Sequence, residues 1–386
     1  MKTYVLGAGA SHPVYPLGSG LLVAIDDYIK SSGKCFDRFQ YDTEWPAALE
    51  WLRKSPNPLL SEAFRTQNIE QIFTVLDFVQ NQYDESFVGI LNADKLGAEE
   101  VAVATSSHQS FNSAVRQYSD VRRLLLWATE AYFQHHHEQD QAEFASAKWE
   151  TLKKFAQILQ PGDVVVTFNY DSTVERVLLD HQKWSPKDGY GTELVFQKNV
   201  YDSTPVNFAS SPVKVLHLHG ALGWYKKPHL VDGFLPDEEG GGIAADKLTP
   251  APLETEISLD PLLLQTFGIS AVDASMPSRP PTEYQSLLHP SFLKDYAGES
   301  TGNEIFRRMW KLASEAMRAA ERVTIIGYSL PAADTAAWAL LLTNCDQTKT
   351  ETVDTNVAVM SRYRRLLRLP ELKPARDFGS WLQTAQ

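Results

Sequence analysis

The chain has 386 residues, of which 43% are apolar and 11% aromatic, so it can bury a large core as one elaborated domain or two, and a mainly disordered protein is excluded. Its 36 Lys plus Arg stand against 48 Asp plus Glu, and the net charge of −12 disfavours direct contact with a nucleic-acid backbone. Cys35 and Cys345 are too few for a disulfide framework or a four-cysteine zinc site, so a cytoplasmic, reducing setting is expected; no apolar run is long enough to predict a membrane span.

Thr3 to Leu6 is a β-prone run leading into glycines, and Leu21, Leu22, Ile25 and Ile29 then recur at helical spacing. The chain is therefore expected to open as strand, turn, helix. Between Trp45 and His137 the β-prone runs nearly vanish. Ile69, Ile72, Phe73, Leu76 and Val79 form one helical stripe, and Phe111, Val115, Tyr118, Leu125 and Tyr132 suggest another. Residues 30–148 are predicted to be a helical insertion within a domain made of residues 1–29 and 149–386.

Trp149, Leu152, Phe155 and Leu159 mark a helix stopped by Pro161 and Gly162, and the run from Val164 to Phe168 reads as a buried strand. Further strands are predicted from Val213 to Leu218, from Val323 to Ile326 and from Val357 to Met360. Helices from Glu304 to Ala320 and from Asp334 to Thr343 separate the later ones. The fold class is α/β: a Rossmann-like parallel sheet with helices on both faces and a large helical insertion. The glycine- and proline-rich stretch from Asp232 to Pro252 reads as a loop, and Tyr363 to Arg368 as a solvated basic helix face.

Chemistry-bearing residues recur where predicted strands end, which is where a parallel sheet binds its ligands. Gly7, Ala8, Gly9, Ala10 and Ser11 follow the first strand; such a loop either lets backbone N–H groups approach a diphosphate or makes a tight turn. A dehydrogenase fingerprint would need a glycine where His12 stands and an acidic residue ending a second strand, and neither is present. Thr167, Asn169 and Asp171 follow the second strand, as crevice residues or as the cap of a helix starting near Ser172. His217 and His219 end the third on one expected face; two zinc ligands are conceivable, but without further ligands at a recognisable spacing one histidine acting as a base is simpler. His135 to His137 read as solvent-exposed. Gly327 and Ser329 follow the Val323 strand with another glycine turn and a hydroxyl.

Taken in order, these segments resemble the sirtuin superfamily, whose members share a Gly-Ala-Gly-x-Ser loop, a Thr-Gln-Asn-x-Asp segment, a His-Gly and a late Gly-x-Ser. Gly7 to Ser11, then Thr167, Asn169 and Asp171 with Phe168 in place of Gln, then His219-Gly220, then Gly327 and Ser329 carry the likeness. Only Cys345 follows the His-Gly, so the four-cysteine ribbon of the protein-deacylating members is missing. Asn68 to Phe73, and Gly327 to Pro331 with Asp334, are similar to stretches common among sirtuin-like NAD-consuming effectors of bacterial anti-phage systems.

The resemblance implies cleavage of NAD, as substrate, to nicotinamide and ADP-ribose, with no metal. Asn169 would position water and ribose, His219 would accept a proton, and Asp171 would hold the nicotinamide carboxamide. Gly7, Ala8, Gly9, Ala10 and Ser11 would cradle the diphosphate, with Thr167 beside them, while Gly327 and Ser329 would line the adenosine ribose. By analogy it also implies a homo-oligomer and a protein partner such as a HerA-like ATPase. The alternatives are an NAD-dependent protein deacylase and a non-catalytic module that senses NAD or ADP-ribose.

Overall fold

A computed structural model describes residues 1–12, 14, 20–32, 41–55, 57–67, 69–81, 117–118, 120–126, 128–129, 131–133, 144–191, 196–197, 205–206, 208–225, 285–287, 303–331, 334–369 and 375–385. The predicted loop from Asp232 to Pro252, the stripe positions Phe111 and Val115, the run His135 to His137, and Asn68 lie outside the described residues.

The strands in chain order are β1 (Lys2–Leu6), β2 (Val164–Thr167), β3 (Phe196–Gln197), β4 (Pro205–Val206), β5 (Lys214–His217), β6 (Gly220–Tyr225), β7 (Gln285–Leu287), β8 (Arg322–Ile326) and β9 (Thr350–Val353). Five of them form one sheet in the order β5-β2-β1-β8-β9, and every pairing in it is parallel. Two antiparallel pairs, β3 with β4 and β6 with β7, stand apart from it. The central strands are near-continuous apolar runs because both sides of the sheet are covered.

The helices are α1 (Ala8–Ser11), α2 (Leu21–Ser32), α3 (Tyr41–Arg53), α4 (Pro58–Arg65), α5 (Ile69–Asn81), α6 (Glu150–Ile158), α7 (Thr173–Asp180), α8 (Asn303–Ala319), α9 (Thr335–Asn344), α10 (Val357–Leu367) and α11 (Phe378–Leu382). Neighbouring residues of β1 show that helices lie on both sides of the sheet. Thr3 Oγ1 donates to the carbonyl of Ala316 on α8, while the next residue, Tyr4, packs edge-on against Phe155 of α6 and Trp381 of α11. Successive strand residues point to opposite faces, so α6 and α11 cover one side and α8 the other. Trp45, Leu52, Leu60, Phe73 and Leu125 of the insertion belong to the same contiguous core as the sheet. Its described residues are helical in α3, α4 and α5 and again over 120–126. Helix α2 crosses the expected edge of that insertion at residue 30 and ends at Ser32.

One expected strand is a helix. The run Val357-Ala358-Val359-Met360 begins α10, and the edge strand lies upstream at β9, pairing Val323 with Thr350 and Ile326 with Val353. The β-prone valines lose to a start signal: the Asn356 side chain accepts a hydrogen bond from the N–H of Ala358. Val359, Met360, Tyr363 and Leu367 then bury one helical stripe, leaving Arg364, Arg365 and Arg368 exposed as expected.

Connections from β1 lead towards β2 on one side, and those from β8 lead to β9 on the other. The sheet therefore changes winding direction between β1 and β8, the position at which doubly wound folds open a crevice beyond the strand ends.

Candidate active site

At that switch point the loop after β1 and the loop after β8 touch through their backbones. The Gly7 N–H donates to the carbonyl of Ile326 at 3.1 Å and the Gly9 N–H to that of Gly327 at 2.9 Å, while Ala10 N–H turns back to Gly7 at 2.8 Å. Gly327 has φ +61°, and a Cβ there would lie 2.5 Å from the Ala10 nitrogen. A Cβ on Gly7 would lie 2.5 Å from the Tyr328 Cα. These glycines are thus required for one loop to pack on another. Three N–H groups expected to cradle a diphosphate are spent on protein carbonyls in this arrangement, while Ala8 is exposed.

The segment after β2 is tied into the same place. Asn169 donates from Nδ2 to the Gly7 carbonyl at 3.1 Å and to Ser11 Oγ at 2.9 Å, and its own N–H is held by Thr167 Oγ1 at 3.1 Å. Asp171 gathers three contacts on Oδ1, from the Thr173 N–H at 3.1 Å, the Thr173 hydroxyl, and Ser11 Oγ at 3.2 Å. It therefore serves the start of α7, while Ser172, the residue in the cap position, makes no such bond. Burial pushes the Asp171 pKa up, the hydrogen bonds from Thr173 and Ser11 oppose it, and the charge of Glu175 adds to the rise.

The two histidines take different partners. Strand β5 ends at His217, so the alternation that would place both on one face stops before His219. His217 is fully buried; its Nδ1–H donates to the carbonyl of Asn169 at 3.0 Å, and Nε2 lies 2.6 Å from Glu175 Oε1 on α7. A carbonyl can only accept, so Nδ1 carries a proton, and Nε2 shares a second with the carboxylate. Burial weighs against the charged ring, but the charge and hydrogen bond of Glu175 with the Asn169 carbonyl outweigh it, raising the His217 pKa. His217 thereby anchors the Asn169 backbone, with its charged form favoured by Glu175 and both ring nitrogens engaged by protein groups.

His219 lies in the turn before β6, 4% exposed, with Nε2 3.1 Å from Oδ2 of Asp334, the residue ahead of α9. The same carboxylate oxygen accepts the Tyr328 hydroxyl at 2.6 Å. Phe168 sits between the loops, stacked on Tyr328 with ring centroids 4.1 Å apart and meeting His219 edge-on at 5.1 Å. Phe168 thus fixes Asn169 and His219, which follow neighbouring strands, around a common aromatic centre.

Ser11, Thr167, Asn169, Asp171 and His219 gather at one edge of the sheet, and Gly327 joins them through its backbone. Ser329 is exposed, and its carbonyl accepts from Arg362 of α10 at 2.9 Å. The sequence pattern assigns no role to Glu175 or Tyr328, and marks Asp334 as a helix start and as part of the stretch with Gly327 to Pro331, without a chemical role. Glu175 stands in a helix first turn, where an acidic residue reads as ordinary dipole pairing, and Asp334 precedes a helix as a cap would. Chemically, the cluster offers an imidazole backed by a carboxylate, an amide donor, and a poorly solvated carboxyl group, all of them buried. Among the described residues no group of three or more His, Cys, Asp or Glu is arranged to hold a metal ion. Comparison with known proteins finds no matching protein-family model and no similar curated protein.

Proposed function

We propose that the protein is an NAD glycohydrolase that cleaves NAD to nicotinamide and ADP-ribose. The observation that carries this reading is the convergence of Ser11, Asn169 with Asp171, His219 and Gly327, drawn from distant parts of the chain, on the switch point of a parallel sheet. The bond between nicotinamide nitrogen and ribose C1′ breaks, nicotinamide leaves as a neutral ring, and a water oxygen bonds to C1′. In this proposal Asn169 orders the water and ribose, and His219 takes the proton that the water loses. Asp171 engages the carboxamide, a task suited to a carboxyl group whose burial favours its protonated, donor form. The diphosphate lies against Gly7 to Ser11, displacing some of the contacts between that loop and Gly327, and the adenosine ribose lies near Gly327 and Ser329.

From the resemblance of its motifs to sirtuin-like effectors of bacterial anti-phage systems, we propose a cytoplasmic, oligomeric effector of anti-phage defence that depletes NAD and is restrained by a protein partner of the HerA-like ATPase kind. Incubating the full chain with NAD and following nicotinamide tests the chemistry. Release in the absence of any peptide supports it. Release only with an acylated peptide replaces it with a deacylase, and no release with retained NAD binding replaces it with a sensing module. Native mass measurement with and without neighbouring gene products tests the assembly.

A further inference from the structure

The buried contact between His219 and Asp334 is more specialised than a base alone requires. Asp334 is wholly buried, and its Oδ2 accepts the Tyr328 hydroxyl at 2.6 Å and lies 3.1 Å from His219 Nε2. Tyr328 is itself fixed, because Tyr363 of α10 donates its hydroxyl to the Tyr328 carbonyl at 2.8 Å and Phe168 stacks on its ring. The strand end before His219 is fixed as well: the Trp310 indole N–H of α8 donates to the Leu218 carbonyl at 3.0 Å. Arg362 of α10 binds the carbonyls of Ser329 and Leu330, holding the loop that carries Tyr328 towards Asp334.

We propose that Asp334 is a positioning residue for His219, holding the neutral imidazole with its proton on Nε2 so that Nδ1 is the basic nitrogen, and stabilising the imidazolium formed when that nitrogen takes a proton. A carboxylate facing Nε2 favours the tautomer protonated there, and its charge favours the cation. Asp334 faces the ring from the turn before α9, Tyr328 reaches the same carboxylate from the loop after β8, and Tyr170 lies with its ring 6.2 Å from His219 in the loop after β2. The proposal rests on the NAD-cleaving reading only for what the proton transfer accomplishes.

The test uses the full chain labelled with nitrogen-15 at histidine, with the His219 signal identified by its loss in His219→Gln. The neutral His219 ring is expected to be protonated at Nε2. Asp334→Asn, which removes the charge and keeps the shape, is expected to move the ring's titration down by about one pH unit or more. In the same variant kcat for NAD falls about 10–100-fold while KM changes less than about threefold. Should that variant not fold, Tyr328→Phe reads the same geometry in the opposite direction: without the hydroxyl, Oδ2 becomes a better partner and the His219 titration rises. A neutral ring protonated at Nδ1 overturns the proposal, as does a titration unmoved in whichever variant folds. No nicotinamide release from the wild-type protein, with the stated ring behaviour intact, overturns the NAD reading alone and leaves Asp334 as the residue that sets His219.

Discussion

Nε2 of His217 lies 2.6 Å from Oε1 of Glu175, and neither side chain is exposed at all. The pair joins the last residue of β5 to the first turn of α7, and the other ring nitrogen holds the Asn169 carbonyl. A buried ion pair depends on the direct contact between its two partners, and removal of one partner strands the other in a medium that solvates it poorly. Glu175 Oε2 has no hydrogen-bond partner among the described residues, so the Oε1 contact carries the carboxylate.

Glu175→Ala is therefore expected to lower stability by about 3–5 kcal/mol, read as the shift in urea midpoint at constant slope. The wild-type pH dependence follows from the raised pKa of His217. Its contribution is complete below the ordinary value of 6.5 and is lost as pH rises through the raised folded value. Unfolding midpoints measured from pH 6 upwards should fall in the wild type by an increment that is absent in His217→Ala. An identical pH profile in the two proteins would remove the cation from this account.

Gly327→Ala tests the junction between the two loops. The positive φ costs a non-glycine residue about 1–3 kcal/mol, and the added methyl would lie 2.5 Å from the Ala10 nitrogen, so the total exceeds that range unless the loops part. Gly20→Ala is the matched control, since a Cβ there meets nothing within 4 Å. Thermal unfolding of the two variants should differ clearly, with Gly20→Ala within about 0.5 kcal/mol of the wild type. Equal stabilities would show that the loops are not pressed together as described.

Much of the sheet was legible because its strands are short apolar runs bounded by turn residues, as with Val164-Val165-Val166 ahead of Asn169. The edge strand was misplaced because Thr350-Glu351-Thr352-Val353 carries a charged residue, whereas Val357 to Met360 is locally more β-like. Glu351 is tolerated in that strand because the Trp381 indole donates to it at 3.0 Å and Arg376 approaches it at 3.5 Å, contacts made by residues far along the chain. The candidate site was legible as residue types at strand ends, not as pairings. That His217 belongs to Glu175 and His219 to Asp334 depends on helices that the local pattern around the histidines does not reveal. The glycines of the first loop were visible, but the close approach of Gly327 that requires them joins positions more than three hundred residues apart.

Asn169 and His219 decide between an ordered strand-end network and a reaction centre. Asn169→Ala loses the bonds to the Gly7 carbonyl and to Ser11 Oγ, so some loss of stability, about 1–3 kcal/mol, is expected whatever the function. His219→Ala removes the contact with the buried Asp334 carboxylate, also with a stability cost. Activity must therefore be compared in samples shown to be folded and equally assembled. Under those conditions each variant should cleave NAD about 10²–10⁴-fold more slowly, which corresponds to about 3–5 kcal/mol of barrier, with NAD affinity changed much less. His217→Ala should differ in kind: because both ring nitrogens serve the fold, its loss shows first in the unfolding midpoint, and its residual activity follows the folded fraction. Wild-type rates of nicotinamide release in folded Asn169→Ala and His219→Ala would reduce the network to scaffolding and end the catalytic reading.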